Sequence, residues 1–266
     1  MPRDTGIASR LRSAGLKVVE VAGWQTRGSV YFSPIGSIDH HTAGSSIGNA
    51  PSLKICTYGY GGLNGPLCNV LIGRDNTCYV VAAGKANHAG SGTWKGLVGN
   101  SSVFGVEREN IGNPNEPWRK DQTITAAKVH AALISSHTAN PEYVCEHKEW
   151  APNRKFDAHS IDGSYMRGLV RYFLKKPNNS PEFLNVVDDM AKEKSVIKLG
   201  STGADVKFLQ DSINKIVGKN ILIADGIFGT ITDRWVKQFQ KDRNLIADGI
   251  VGYKTWAQLL IANLKV

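Results

Sequence analysis

The sequence predicts a two-domain protein, in which an α/β domain with a mixed sheet flanked by helices precedes a small all-α domain of three helices. Up to about residue 176, short apolar runs of strand character alternate with helical patterns, which is typical of a sheet covered by helices. From residue 197 onward, an Asp-Gly unit occurs twice between segments of helical periodicity. We therefore expect domains at 1–176 and 197–266, joined by a polar linker at 177–196 that contains Pro-Asn-Asn-Ser-Pro.

In the first domain, apolar runs and helical periodicity indicate four strands and two helices. The expected strands are 36–43, 69–73, 78–83 and 103–107, and the expected helices are 123–138 and 163–174. The second and third strands form a hairpin whose register places Cys78 near Gly73, so that a disulfide between Cys68 and Cys78 is not expected. We expect the four cysteines to be free, buried thiols.

The C-terminal region contains an internal repeat. Leu222–Ile227 recurs as Leu245–Ile250, and each Asp-Gly pair marks a tight turn. Thr202 and Asp205 form a weak capping pair for the first helix. The apolar stripes of the three helices are predicted as Val206, Leu209, Ile213 and Ile216; Ile231, Trp235 and Phe239; and Trp256, Leu259 and Leu260.

The composition limits the choice of partner. The 266-residue chain has a net charge of +9 and a pI near 9.4, which favours a nucleic acid, an anionic membrane or the acidic polymers of a bacterial wall. Lys237 and Lys241 share their helix with Asp233 and Asp242, so no basic reading face forms and we expect no nucleic-acid binding. Residues 1–14 lack the apolar core of a signal peptide and no stretch is apolar enough to span a membrane, so we expect cytoplasmic synthesis and no membrane insertion.

The most informative segment is 146–157, which brings together His147, Lys155 and Asp157 in one loop interrupted by Pro152. Another histidine, His40, ends an apolar run far upstream. Two imidazoles and one carboxylate from separate segments make the ligand set of a catalytic zinc, which keeps its fourth position for water. The segment therefore predicts a metal site.

The other histidines restrict this assignment only in part. His40 and His41 are neighbours on a strand, so only one of the two can face the site. His130 and His137 lie seven residues apart on a helix, about 10 Å along its axis, which is too far to share one zinc. His159 follows Asp157 closely and stays an alternative ligand.

Four segments together carry a resemblance to a known family. Ile38–Gly44, Asn87–Gly90, Phe104–Glu107 and His147–Asp157 resemble, in this order, the zinc-dependent N-acetylmuramoyl-L-alanine amidases over about residues 30–175. That family includes bacteriophage endolysins and is related to animal peptidoglycan recognition proteins. The repeated Asp-Gly unit resembles the three-helix peptidoglycan-binding module found beside such enzymes, over about residues 197–262.

The resemblance implies roles for particular residues. It implies one Zn²⁺ ion held by His40, His147 and Asp157. It also implies that Glu107 is the general base and that Lys155 stabilises the developing oxyanion. His88 lies in a glycine-rich loop after the hairpin and is our candidate substrate contact.

The function implied is that of a phage endolysin. Such an enzyme hydrolyses the amide between N-acetylmuramic acid and L-alanine in peptidoglycan, which leads to lysis of the cell wall. We expect peptidoglycan as the partner, anionic wall polymers as a further one, and a monomeric protein. A non-catalytic peptidoglycan recognition protein and a zinc wall peptidase are the alternatives.

Overall fold

The computed structural model describes residues 3–175, 187 and 190–263, and the chain divides into two compact units, Met1–Ser180 and Pro181–Val266. Most of the predicted linker, 177–186 and 188–189, lies outside the described residues. Its last part is not an extended polar segment, because residues 190–193 are helical and Ala191 is buried. The indole nitrogen of Trp256 donates to the carbonyl of Ser195 at 2.8 Å, so this part packs within the second unit.

The predicted mixed sheet is confirmed and has six strands in the order β1-β6-β5-β9-β2-β10. Its strands are β1 Val18–Glu20, β2 Gly36–His41, β5 Val70–Ile72, β6 Cys78–Val80, β9 Val103–Arg108 and β10 Val144–Glu146. Two small hairpins lie outside this sheet: β3 Gly59–Tyr60 pairs with β4 Leu63–Asn64, and β7 Thr93–Trp94 pairs with β8 Leu97–Val98. β5, β9, β2 and β10 are parallel neighbours, whereas β6 is antiparallel to β5. The carboxyl ends of the four parallel strands therefore lie along one edge of the sheet.

Within the described part of the first unit, five α-helices accompany this sheet. They are α1 Ile7–Ser13, α2 Leu53–Tyr58, α3 Lys120–Ile134, α4 His147–Trp150 and α5 Gly163–Lys175. The predicted bounds of α3, 123–138, were wrong at both ends. The helix stops at Ile134 because its carbonyl accepts from the backbone N–H groups of His137 and Ala139, at 3.0 and 2.9 Å, and Ala139 takes a φ of 49°.

The β5–β6 hairpin pairs one residue away from the predicted register. Cys78 lies opposite Ile72, and the N–H of Gly73 instead donates to Thr77 at 2.9 Å. All four cysteines are free and buried, as expected. Burial, with a smaller contribution from Asp75, raises the pKa of the Cys78 thiol to about 12, so this thiol behaves as a small apolar group.

The second unit contains the three predicted helices, α6 Ala204–Val217, α7 Thr230–Asp242 and α8 Tyr253–Asn263. Three of the four residues predicted for the α6 stripe, and all of those for α8, are buried: Val206, Leu209, Ile213, Trp256, Leu259 and Leu260. The prediction for α7 was wrong at Ile231, which is 59% exposed, because the helix buries Thr232, Val236, Phe239 and Gln240. Among the described residues, no helix combines the length and apolar character needed to span a membrane.

The predicted capping pair of α6 was also wrong. The helix begins after Gly203, with no side-chain cap. Thr202 instead forms an isolated bridge with Ile227. The carboxylate of Asp205 accepts from Lys194 at 2.8 Å and from the N–H of Ser195 at 3.0 Å, so it fixes the segment before the helix.

A buried glutamine holds each copy of the repeated Asp-Gly loop. The side-chain oxygen of Gln240 accepts from the N–H of Gly249 at 2.9 Å, and its nitrogen donates to Asp248 and to the carbonyl of Ile250 at 3.0 Å. In the first copy, Gln210 makes the equivalent bonds to residues 225–227, at 2.9–3.0 Å. The sequence repeat is therefore a repeat of one structural device.

We expect the Gln240→Leu variant to lose about 1–3 kcal/mol of folding free energy, because the loop atoms bonded to Gln240 would be left unsatisfied. Gln238→Leu is the matched control, since Gln238 lies on the same helix and bonds Asp242 at the surface. That control should change stability by about 0.5 kcal/mol or less. Urea unfolding of both variants measures the difference, and equal stabilities would contradict the proposed role of Gln240.

Candidate metal centre

The three predicted metal ligands meet at the carboxyl edge of the parallel strands. His40 is the penultimate residue of β2, and Glu107 lies opposite it on β9. His147 follows β10 directly, as the first residue of α4, and Asp157 lies in the loop beyond that helix. Two neighbouring parallel strands thus deliver the histidines to one place, and a single loop adds the carboxylate.

The ligand atoms form a compact buried triangle. Nδ1 of His40 lies 2.9 Å from Nδ1 of His147 and 3.1 Å from Oδ2 of Asp157, and the remaining side of the triangle is 2.8 Å. These three residues are the group in the described chain that could hold a metal ion. Atoms bound tetrahedrally at about 2.0–2.1 Å from a zinc lie about 3.3 Å apart, so the triangle is close to the size that the ion requires.

Hydrogen bonding outside the triangle fixes which ring nitrogens carry protons. Nε2 of His147 lies 2.9 Å from the carbonyl of Ala89 and donates to it, so that in the neutral ring Nδ1 carries no proton. Nε2 of His88 donates in the same way to the carbonyl of Val103, at 3.3 Å, so Nδ1 of His88 accepts from Nε2 of His40 at 3.0 Å. His40 therefore also turns an unprotonated Nδ1 toward the triangle.

Lone pairs on Nδ1 of His40, Nδ1 of His147 and Oδ2 of Asp157 therefore face one another at short range. Burial lowers the pKa of His40 to about 4, so this imidazole is neutral near pH 7. Because the lone pairs of two imidazole nitrogens and a carboxylate repel one another at this distance, the arrangement fits a bound cation.

Glu107 lies half-buried beside this centre. Its Oε2 is buried and has no hydrogen-bond partner among the described residues. Burial raises the pKa of the Glu107 carboxyl well above its usual value, and the negative charge of Asp157 acts in the same direction. A carboxyl group with one buried, unpaired oxygen next to a candidate metal site is the kind of group that takes up and releases protons during a reaction.

The other two predicted site residues, Lys155 and His88, differ in their hydrogen bonding. Lys155 is half-buried in the turn after α4, and its ammonium makes no hydrogen bond or ion pair with any residue that the structure describes. His88 already has both ring nitrogens within hydrogen-bond distance of protein atoms, Nε2 of His40 and the carbonyl of Val103. Their assignments as oxyanion donor and substrate contact stay predictions.

The remaining histidines take part in other contacts. His159, the alternative ligand, bonds Asn110 at 3.0 Å and stacks on Trp118. Nδ1 of His41 accepts from the N–H of His159 at 3.2 Å. The helical histidines lie at different places, with His130 bonded to Ser37 at 2.8 Å and His137 within 3.1 Å of Asp4.

Sequence reasoning missed a buried ion pair under the centre. Asp39 precedes His40 on β2, and Arg108 follows Glu107 on β9. Both side chains are fully buried, and they pair through two hydrogen bonds, one of which is 2.9 Å long. The guanidinium carbon of Arg108 lies 3.8 Å from the ring centre of Trp118. Because side chains alternate along a strand, a charge next to each site residue could have signalled a polar layer on the opposite face.

Two family profiles match this chain. Residues 33–160 match the N-acetylmuramoyl-L-alanine amidase family, and this range contains the whole ligand triangle. Residues 33–160 form an N-acetylmuramoyl-L-alanine amidase domain. Residues 202–259 match the peptidoglycan binding domain family, so the amidase domain is followed by a domain of that family. The chain is therefore an enzyme of the amidase class that acts on the cell wall.

Solved structures to which this chain is similar include an endolysin and two amidases. A mutant endolysin from Bacillus subtilis is 17% identical, with 58% of this chain and 99% of that chain covered and a TM-score of 0.45. The endolysin amidase LysCS from Clostridium intestinale is 25% identical, with coverages of 53% and 85% and a TM-score of 0.39. AmiD from E. coli, in complex with its substrate, is 19% identical, with coverages of 93% and 96% and a TM-score of 0.39.

Proposed function

We propose that this protein is a bacteriophage endolysin whose amidase domain uses one zinc ion, held by His40, His147 and Asp157, to cut the amide between N-acetylmuramic acid and L-alanine. The observation that carries the proposal is the buried triangle of three ligand atoms, 2.8–3.1 Å apart. When bound, the ion would activate a water and polarise the scissile carbonyl. The consequence for the cell wall would be lysis.

The residues around the triangle supply proton transfer and charge. Glu107 has a raised pKa and a free buried oxygen, so it would accept a proton from the attacking water and pass it to the leaving amine. The ammonium of Lys155 has no protein partner within the described chain and would stabilise the negative charge that develops on the carbonyl oxygen. Neither residue needs to hold the ion.

We expect Glu107→Gln to reduce kcat by about 10²–10⁴-fold, because the amide keeps the shape of the side chain but cannot take up a proton. Zinc affinity should stay close to that of the wild type, since Glu107 is not one of the three ligands. Hydrolysis of a soluble muramyl peptide, measured beside a zinc titration, tests both points. Activity near the wild-type level would remove Glu107 from the mechanism.

The second unit would keep the enzyme on its insoluble substrate. Tethering raises the local concentration of the amidase domain and leaves its chemistry unchanged. The net charge of +9 would add attraction to anionic wall polymers, and this contribution must weaken with salt. Wall binding should therefore fall with ionic strength, while turnover of a small soluble substrate should change less.

Mass spectrometry of purified sacculi digested with the full-length protein tests the proposal. A free amino group on L-alanine together with intact muramic acid is the expected product, and a strong chelator should prevent its formation until zinc is restored. Fragments cut within the stem peptide would instead indicate a wall peptidase. Binding without any cleavage would indicate a non-catalytic recognition protein, and either result would overturn the proposed reaction.

A further inference from the structure

One short loop contacts both histidines of the ligand triangle from outside. In the 88–92 loop, Nδ1 of His88 lies 3.0 Å from Nε2 of His40, and the carbonyl of Ala89 lies 2.9 Å from Nε2 of His147. These bonds set the orientation of each ring and leave Nδ1 of each ring free for the ion. The position of a single loop therefore controls two of the three candidate ligands.

Two side chains outside the triangle hold this loop in place. Nη2 of Arg154 donates to the carbonyls of Ala89 and Ser91, at 3.1 and 2.7 Å. From the other side, Oδ1 of Asn100 accepts from the N–H groups of His88 and Ala89, at 3.0 and 2.8 Å. Ala89 is thus fixed through both its N–H and its carbonyl, and that carbonyl is the one that receives the proton of His147.

A glycine makes the contact with Arg154 sterically feasible. Gly90 has a φ of +58°, and a Cβ atom added there would lie 2.9 Å from Nη2 of Arg154. A side chain at position 90 would therefore push the guanidinium away from the loop as well as strain the backbone. The close approach of Arg154 to the loop depends on this glycine.

We propose that Arg154 and Asn100 are positioning residues, which hold the 88–92 loop where it aligns His40 and His147 for a divalent cation. The inference rests on the proposed zinc site but not on the bond that the enzyme cuts. Neither residue offers an atom to the triangle, so each acts through Ala89 or His88. Loss of one anchor should let the loop move and weaken both outer hydrogen bonds.

The experiment compares the zinc and cobalt affinities of the full-length protein and its variants. Dissociation constants come from competition with a chromophoric chelator, and the visible spectrum of the Co²⁺-loaded protein reports the ligand geometry. The variants are Arg154→Ala, Asn100→Ala and Asn100→Asp, the last of which keeps an oxygen that can accept both N–H groups. Arg171→Ala is the matched control, because Arg171 is an exposed arginine paired with Glu142.

We expect Arg154→Ala and Asn100→Ala each to raise the zinc dissociation constant by about 10- to 100-fold and to alter the cobalt spectrum. Asn100→Asp should recover most of the affinity, and Arg171→Ala should bind as the wild type does. Thermal unfolding of the metal-free proteins shows whether each variant is folded. If Arg154→Ala does not fold, the comparison of Asn100→Ala with Asn100→Asp decides alone.

Unchanged affinities in the folded variants would overturn the inference. The same would follow if Asn100→Asp lost as much affinity as Asn100→Ala. Failure of the proposed function is seen separately, because the wild-type protein would then bind zinc yet yield a different cleavage product. A wild-type protein that binds neither zinc nor cobalt would overturn both.

Discussion

Replacing Asp157 with Asn is expected to abolish both zinc binding and hydrolysis of the muramyl amide. The substitution keeps the size of the side chain but removes the negative charge that would offset a divalent cation held beside two imidazoles. A metal ion contributes several kcal/mol of charge stabilisation, and each tenfold change in rate corresponds to about 1.4 kcal/mol. The rate should therefore fall by at least about a thousandfold.

The control for this prediction is the same substitution five residues later. Asp162 accepts from the N–H of Tyr165 at 2.8 Å at the start of α5, and Asn caps a helix about as well as Asp does. Asp162→Asn should therefore keep its metal and its activity. Metal content after dialysis and hydrolysis of a soluble muramyl peptide are the two measurements. An Asp157→Asn variant that retained stoichiometric zinc would refute the ligand assignment.

The largest effect on stability is expected for Arg108→Met. Arg108 and Asp39 form a fully buried pair, and removal of one partner leaves a buried charge without compensation. Such a loss costs about 3–5 kcal/mol, whereas replacement of both partners by apolar residues is often close to neutral. The double variant Asp39→Leu with Arg108→Met should therefore be more stable than Arg108→Met alone.

Urea unfolding of the full-length protein measures these differences. A single variant that lost about 1 kcal/mol or less would show that the pair is dispensable, since that is the range of exposed ion pairs. Arg119→Met provides a comparison, because Arg119 pairs with Asp121 with both side chains about half exposed. Its effect should stay within that smaller range.

The fold class and the residues that meet at the centre could be predicted because their signals are local. The strands around His40 and Glu107 show as short apolar runs, and a histidine and an aspartate in one loop suggest a ligand pair. The order β9-β2-β10, which brings these segments side by side, was not predicted from any single run. It results from parallel pairing across long connections.

The parts that sequence reasoning missed depend on backbone atoms or on distant contacts. The carbonyl of Ala89 orients His147, but a carbonyl leaves no residue-specific trace in a sequence. Gln210 precedes its Asp-Gly loop by a different number of residues than Gln240 does, so the repeat did not reveal their shared role. On α7, Ile231 has an apolar side chain but lies outside the core, because Val236 and Phe239 set the buried face.

The candidate centre draws on stretches that are far apart along the polypeptide, with His40 near its beginning and His147 and Asp157 much later. A cut in the polar segment 112–117 would separate the first ligand from the other two. Neither fragment could then assemble the ion site alone. Recovery of amide cleavage on mixing the two fragments would report their complementation, which makes this domain suited to a split-enzyme reporter.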